Sequence, residues 1–342
     1  MMMKKYGFGI VGCGVISKWH IEAIQAIDGA QLVGVFDNCK ENAQKTAQLH
    51  ACRCFDTYEE MLLCPQVDIV SICTPSGTHA PLAIEAANRG KNIIVEKPMA
   101  ITKQQIDELI YTVEKNNVKL TVISQLRFKE GIQRVKNAIE NGELGDIILG
   151  DIYMKYYRSQ EYYDSSSWRG TWDMDGGGAL MNQGIHGVDL LQYLVGSVKS
   201  VMGMCRTLAR DIEVEDTASA VVEFENGALG VIQGTTSVEP GYPRIIQISG
   251  TKGSVEITED TVTRWDIGGS SSVGGHSLCG DIKSYRDPQG LGKGDHMLQI
   301  KDFIAAIDEG REPLVNMYEG KKTVDIILAA YESSKTGHKV EL

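Results

Sequence analysis

The feature that most constrains this chain is the rhythm of its first third. Short apolar runs at Tyr6–Val11, Leu32–Phe36, Asp68–Ile72, Asn92–Val95 and Lys119–Ile123 alternate with amphipathic stretches at Ile16–Ile27, Lys40–Leu49, His79–Arg89 and Lys103–Asn116. A strand written as an unbroken apolar run is covered on both faces, and the helices between such strands are the crossovers that cover it. The expected fold is therefore α/β, beginning with an N-terminal doubly wound parallel sheet of Rossmann type. After Ser124 the rhythm changes. A helix near Lys129–Glu140 and a strand from Ile147 to Tyr157 lead to a helix at Gly187–Val195. A series of strands follows, at Val198–Thr207, Thr217–Glu225, Ala228–Thr236, Arg244–Ser249, Ser254–Ile257 and Val262–Trp265. Turns such as Glu225-Asn226-Gly227 and Thr251-Lys252-Gly253 suit antiparallel hairpins. Two helices near His296–Asp308 and Tyr318–Lys335 close the chain. The predicted division is a Rossmann domain over 1–124 and a substrate-binding and oligomerisation α+β domain over 125–342, with a large open, mainly antiparallel sheet. Two domains are also what 342 residues lead one to expect.

The first chemical motif lies where the first strand meets the first helix. Gly12-Cys13-Gly14-Val15-Ile16-Ser17 is Gly-x-Gly-x-x-Gly with serine at the third position. Gly12 permits the tight turn, Gly14 lets a pyrophosphate approach the backbone, and a small residue at Ser17 allows close helix–strand packing. The helix start, with Val15 and Ile16, supplies N–H donors to phosphate. Asp37 ends the second strand at the distance expected of a ribose-binding acid. A carboxylate there accepts from a 2′-hydroxyl and repels a 2′-phosphate, so NAD is expected and NADP is disfavoured; a helix cap is the alternative role. Cys73-Thr74-Pro75-Ser76-Gly77-Thr78-His79 follows the fourth strand, at the end of the sheet where ligands bind. Thr78 as a helix cap and His79 as a helix-start residue are the bland alternatives. Glu96-Lys97-Pro98 follows the fifth strand, and Lys97 there is placed to hydrogen-bond a substrate hydroxyl.

Further along, Gly176-Gly177-Gly178 precedes Asn182 and His186, which share a face if this stretch is helical. A neutral histidine can take a hydroxyl proton while hydride leaves the carbon. Upstream lie Tyr156, Tyr157, Arg158, Trp168, Arg169 and Trp172. Aromatic rings stack on sugar faces and arginine pairs with carboxylate or phosphate, although packing and subunit contact use the same residues. Arg127, after the sixth strand, is a similar candidate.

The glycine loop, the Cys-Thr-Pro-x-x-x-His loop, Glu-Lys-Pro and the glycine run with its spaced histidine together resemble the glucose–fructose oxidoreductase, inositol dehydrogenase and MocA family. The likeness extends through Gly142-Glu143-Leu144-Gly145, Val214-Glu215-Asp216-Thr217 and Gly250-Thr251-Lys252-Gly253. The resemblance implies catalytic roles for Lys97 and His186, and Asn182 is counted with them as the residue that orients substrate or histidine. It implies a cis peptide before Pro98, and cofactor contacts from Gly12, Gly14, Val15, Ile16, Ser17, Asp37, Cys73, Thr74, Pro75, His79, Glu96 and Lys97. Substrate contacts would come from Lys97, Arg127, Tyr157, Trp168, Arg169, Asn182 and His186. Many members carry aspartate where this chain has Asn182. Together with Ile212–Thr217, that departure makes the chain look more like the branch containing nucleotide-sugar-acid 3-dehydrogenases.

The expected activity is hydride transfer between a secondary hydroxyl of a sugar, nucleotide sugar or cyclitol and nicotinamide. An NAD-dependent glycosidase and a non-catalytic nucleotide sensor are the alternatives, the second disfavoured by retention of both Lys97 and His186. The formal charge of −11 excludes a nucleic-acid partner. No apolar run reaches membrane-spanning length and the start lacks the apolar run of a secretory signal, so a cytoplasmic protein is expected. A homodimer or homotetramer is expected from the broad second sheet. No metal is expected: His276, Cys279, Asp281 and His296 match no common zinc spacing. The eight cysteines are dispersed, without a Cys-x-x-Cys pair, and are expected to be free thiols.

Overall fold

The computed structural model describes residues 5–273 and 295–342. They form two compact units. The first takes in residues 5–125 and 295–321, and the second takes in 126–273 and 322–342.

In the first unit six strands form one parallel sheet: β1 (Tyr6–Val11), β2 (Ala30–Phe36), β3 (Arg53–Cys54), β4 (Ile69–Ile72), β5 (Asn92–Val95) and β6 (Leu120–Val122). Their spatial order is β3-β2-β1-β4-β5-β6. The order reverses between β1 and β4, the switch point at which a doubly wound sheet binds its ligand. β1, β4 and β6 are buried along their whole length, as their apolar runs require. Crossover helices occupy Ser17–Gln25, Lys40–His50, His79–Asn88 and Lys103–Lys115, close to their sequence-predicted positions. A short helix at Tyr58–Leu63 was not anticipated; Thr57 caps it by accepting from Glu60 N.

The helix Asp295–Glu309 lies in the part of the chain assigned from sequence to the second domain, yet it belongs to the first unit. Packing explains this. Ile300 and Phe303 are fully buried in the same apolar cluster as Phe8, Ile21 and Ile24. The Gln299 side chain receives Ser124 N at 2.9 Å and donates to Thr121 Oγ1 at 3.0 Å and Val122 O at 2.7 Å. A return segment of this kind has no local signature, because its partners are about 175 residues away.

The second unit is built on a nine-stranded sheet. Its strands are β7 (Ile147–Lys155), β8 (Val198–Arg206), β9 (Thr217–Phe224), β10 (Leu229–Thr235), β11 (Ile245–Gly250), β12 (Gly253–Thr258), β13 (Thr261–Ile267), β14 (Ser270–Val273) and β15 (Val340–Glu341). They lie in the order β14-β13-β12-β11-β7-β10-β9-β8-β15, and the pairing is antiparallel except for β7 with β10. Burial alternates along β8 and β9, so one face is covered and the other open. The helix Ile185–Val195 lies on the covered face. There a Cβ at Gly187 would come within 2.6 Å of Ile152 Cδ1. The open face shows Leu149, Met202, Met204, Val221 and Leu229, each at least 44% exposed.

Candidate active site

The residues expected to hold a dinucleotide gather at one end of the parallel sheet, in the loops after β1, β2, β4 and β5. Gly12 has φ +90°, a left-handed conformation, and a Cβ there would sit 2.7 Å from Cys73 O. Gly14 and Val15 are exposed, and no protein atom lies within 4 Å of a Cβ placed on Gly14. Ser17 is buried and donates to Gly14 O at 2.7 Å, which closes the first helical turn beneath the loop. Asp37 binds the loop directly. Its Oδ2 accepts from Cys13 N at 2.7 Å and its Oδ1 from Cys39 N at 2.7 Å. The carboxylate therefore tethers the glycine loop to the end of β2, a role that the strand–acid spacing alone does not show. These residues fit a dinucleotide, with an open glycine backbone at a helix start and a carboxylate at the tip of the neighbouring strand.

The loop after β4 is tied to the loop after β5. His79 is buried, with Nδ1 2.6 Å from Pro98 O and Nε2 2.8 Å from Thr74 O. Its ring is enclosed between two backbone carbonyls, which corrects its expected part as a cofactor ligand; burial lowers its pKa, and the neutral ring donates to one of the two. Thr78 donates to Pro75 O at 2.7 Å. The Lys97–Pro98 peptide is cis, as the resemblance implied, and Lys97 is half-buried.

Glu96 was expected to touch the cofactor and instead turns inward. Its Oε1 lies 2.9 Å from His20 Nε2 and 3.5 Å from His296 Nε2, and its Oε2 receives Lys97 N at 3.2 Å. Ser71 Oγ holds the other ring nitrogen of His20 at 2.8 Å. Burial pushes the Glu96 carboxyl upward, but hydrogen bonds and charge from His20 and His296 outweigh it and hold the group well below the usual carboxylate range. The donor atoms of His20, Glu96 and His296 all lie within 4.8 Å of one another, a set a divalent ion could use. We assign no ion there, because Ser71, His20, Glu96 and Lys97 N already form a continuous hydrogen-bonded chain. Of the other weighed metal ligands, His276, Cys279 and Asp281 lie outside the described residues. The seven cysteines within the described residues are free.

In the second unit the glycine run and the following helix form one device. The segment Ala179–Gly184 is a π-helical turn that runs into the helix Ile185–Val195, and Asn182 N and Gln183 N both point to Gly178 O. Wide turns of this kind are often found at functional sites. Asn182 therefore lies on the π turn and His186 on the α-helix, so simple α-helical spacing does not relate them. Both are half-buried. Beneath the turn sits Glu215, which is buried. It accepts from Gly178 N at 2.9 Å, Leu180 N at 2.8 Å and Tyr331 Oη at 2.9 Å. Burial pushes its carboxyl up to about 7 against those three donors. Gly178 is required here, since a Cβ would come within 2.0 Å of Glu215 O.

Asn182 Nδ2 donates to Asp175 Oδ1, and Gln183 Nε2 donates to Asn182 Oδ1 at 2.7 Å and to Tyr162 Oη at 2.9 Å. Arg158 Nε donates to Gln183 Oε1 at 3.1 Å. Nearby, the Arg169 guanidinium lies 4.6 Å from the Tyr162 ring and 5.2 Å from that of Trp168. Tyr157 carries the Arg210 guanidinium 5.2 Å from its ring. Asp175 and Tyr162 were not singled out from sequence, and Gln183 and Glu215 stood there only inside motifs; their contacts give them their places. Arg127 is a correction. It is 1% exposed, with Nε 2.9 Å from Asp189 Oδ2 and Nη2 2.7 Å from Asp189 Oδ1, and it lies 4.6 Å from the Tyr193 ring. A bidentate buried ion pair commits the guanidinium to the fold, not to substrate.

A doubly wound sheet with an open glycine loop and an acidic strand tip at its switch point defines a dinucleotide-binding oxidoreductase class. Comparison with known proteins identifies the family. Residues 6–124 match the oxidoreductase family with the NAD-binding Rossmann fold, and residues 132–256 match the GFO/IDH/MocA C-terminal domain. The chain belongs to the Gfo/Idh/MocA oxidoreductase family. It is 35% identical to the WlbA dehydrogenase from Bordetella pertussis, solved in complex with NADH and UDP-GlcNAcA, with a TM-score of 0.88 over 99% of each chain. The corresponding enzyme of Chromobacterium violaceum, also solved with NADH and UDP-GlcNAcA, is 33% identical with a TM-score of 0.88, over 100% of this chain and 97% of that one. Myo-inositol 2-dehydrogenase of Thermotoga maritima is 26% identical over 98% of both chains. Among the described residues no helix is long and apolar enough to cross a membrane.

Proposed function

We propose that this chain is an NAD-dependent dehydrogenase that oxidises a ring hydroxyl of a nucleotide-linked sugar acid. The observation that carries this reading is the full-length likeness to two dehydrogenases solved with NADH and UDP-GlcNAcA. The polar and aromatic cluster of Tyr162, Trp168 and Arg169, which Gln183 links to Asn182, supports it, since such groups suit an anionic, ring-bearing substrate. The first unit is proposed to hold NAD and the second to bind substrate and mediate assembly through the open face of its sheet, as a homodimer or homotetramer.

Bound NAD supplies the hydride acceptor. Asp37 and the backbone after Gly12 orient it. Lys97, as an ammonium, steadies negative charge on the substrate oxygen and has no lone pair with which to act as a base. His186 takes the hydroxyl proton, because an imidazole is largely neutral at pH 7. Loss of a general base costs about 10²–10⁴-fold in turnover. The test is NADH formation with UDP-linked uronic acids, free sugars and cyclitols, measured for the wild type and for His186→Ala and Lys97→Ala. Both variants should retain NAD binding and lose turnover by at least about a hundredfold. Activity on myo-inositol alone would overturn the substrate class, and near-wild-type turnover in both variants would overturn the roles.

A further inference from the structure

Asp175 is 1% exposed, so its carboxylate depends on protein donors. Oδ2 accepts from Gly170 N at 2.9 Å, and Oδ1 accepts from Asn182 Nδ2. Asp175 N donates to Thr171 O at 3.1 Å, which closes the turn that carries it. From this end the hydrogen bonds run in one direction. Arg158 Nε donates to Gln183 Oε1, Gln183 Nε2 donates to Asn182 Oδ1, and Asn182 Nδ2 donates to Asp175. A guanidinium stands at the donor end and a carboxylate at the acceptor end. An amide has chemically different ends, and a carboxylate only accepts. The chain therefore leaves Asn182 a single orientation, and bonds aligned in this way polarise one another.

We propose that Asp175 is a positioning residue for proton transfer: as the anionic end of the Arg158–Gln183–Asn182 relay it locks the Asn182 amide on the π turn that leads into His186. The inference rests on His186 being the base. Nothing in the sequence around Asp175 announces this role. The proposal requires that the polar group at 182 be held in one arrangement, and a neutral group at 175 facing the Asn182 amide does not enforce it. An asparagine side chain at that position has one acceptor for two donors, Gly170 N and Asn182 Nδ2.

The experiment moves the charge across the same hydrogen bond. Asp175→Asn removes the anion. Asn182→Asp sets two carboxylates against each other. The double variant Asp175→Asn with Asn182→Asp restores one donor–acceptor pair. In it the new amide at position 175 serves Gly170 N through its carbonyl, and the new carboxylate at position 182 accepts from that amide and from Gln183. Expected are a kcat about tenfold lower in Asp175→Asn, the loss of roughly one charge-assisted hydrogen bond, and a larger fall in Asn182→Asp. Expected too are an unchanged NAD Kd throughout and recovery to within about threefold of wild type in the double variant, since residues in direct contact couple strongly enough for one change to compensate the other. A double variant no better than Asp175→Asn, or one that fails to fold, would make Asp175 a purely structural residue and overturn the inference. So would a wild-type kcat in Asp175→Asn. His186→Ala is assayed alongside: if it stays active, the base assignment falls, and that failure is separate from an inert Asp175.

Discussion

Asp37 does two things at once in this structure, and one substitution separates them. Its two oxygens receive Cys13 N and Cys39 N, each at 2.7 Å, and in the proposed mode of cofactor binding its charge would face a 2′-phosphate. Asparagine keeps the shape but offers one acceptor oxygen and an NH₂ group that faces the other backbone donor. A hydrogen bond to a charged group contributes about 1.5–3 kcal/mol, so the tether of the glycine loop weakens by about that much. That loss falls on every dinucleotide and predicts NAD binding weaker by about ten- to a hundredfold. The charge effect falls on NADP alone. Two unit charges about 4 Å apart repel by about 1 kcal/mol in water and about 4 kcal/mol at the effective dielectric of a protein surface. Asp37 is half-buried, so a value between these limits applies. Removing it should narrow the NAD-over-NADP preference by at least about fivefold even as NAD binding falls. Fluorescence titration of both cofactors into wild type and Asp37→Asn measures the two effects together. An unchanged NAD:NADP ratio would refute the electrostatic reasoning, and an unchanged NAD affinity would refute the tether.

Three further outcomes are expected. Glu215 titrates near 7 in the folded chain against an ordinary value of 4.5, so the folded state holds its proton the more tightly. Its stabilising contribution is full below pH 4.5, falls as pH rises and is gone above 7, a change of about 3 kcal/mol; the wild-type advantage over Glu215→Gln in urea unfolding should shrink by that amount between about pH 4.5 and 8, and a constant difference would contradict the shift. Gly178→Ala forces a methyl against Glu215 O and should cost about 1–3 kcal/mol of stability, with turnover falling while NAD affinity stays; wild-type melting and kcat would show that the close approach is tolerated. Met204→Lys places a charge on the open sheet face, where Met204 is 67% exposed and Met202 lies across from Val221. Light scattering should find the wild type as a dimer or tetramer and the variant shifted toward monomer; a monomeric wild type would overturn the proposed assembly.

The first unit was legible because its rules are local. An apolar run, a glycine turn and an amphipathic helix are each complete within a few residues, and repetition of that unit admits few topologies. The observed strand order, with β1 inside the sheet, is that of a doubly wound fold. What escaped was the return segment, whose Gln299 and Phe303 make sense only beside strands already in place. In the second unit the hairpins were readable from their turns. The parallel pairing of β7 with β10 was not, because about 80 residues separate the two strands and no turn joins them.

The site divides along the same line. Gly12, Asp37 and Lys97 each follow a strand end, where position in the sequence is nearly position in space. His79, Glu96 and Arg127 were misread for a reason that runs the other way. A polar residue beside a ligand loop looks like a ligand until its partners are known, and those partners are Pro98 O, His20 with His296, and Asp189. Each has at least one partner 19 to 200 residues distant. A buried polar group must find such partners or lose stability. Many polar residues near a binding loop are therefore spent holding the loop in shape. The same requirement makes Asp175 informative. A carboxylate that is 1% exposed, with a backbone N–H on one oxygen and the side chain of Asn182 on the other, is placed by its protein partners. We infer that its charge acts through the Asn182 amide, whose Nδ2 it receives. The determinants of this site therefore lie in the direction of its hydrogen bonds, which a sequence motif does not record.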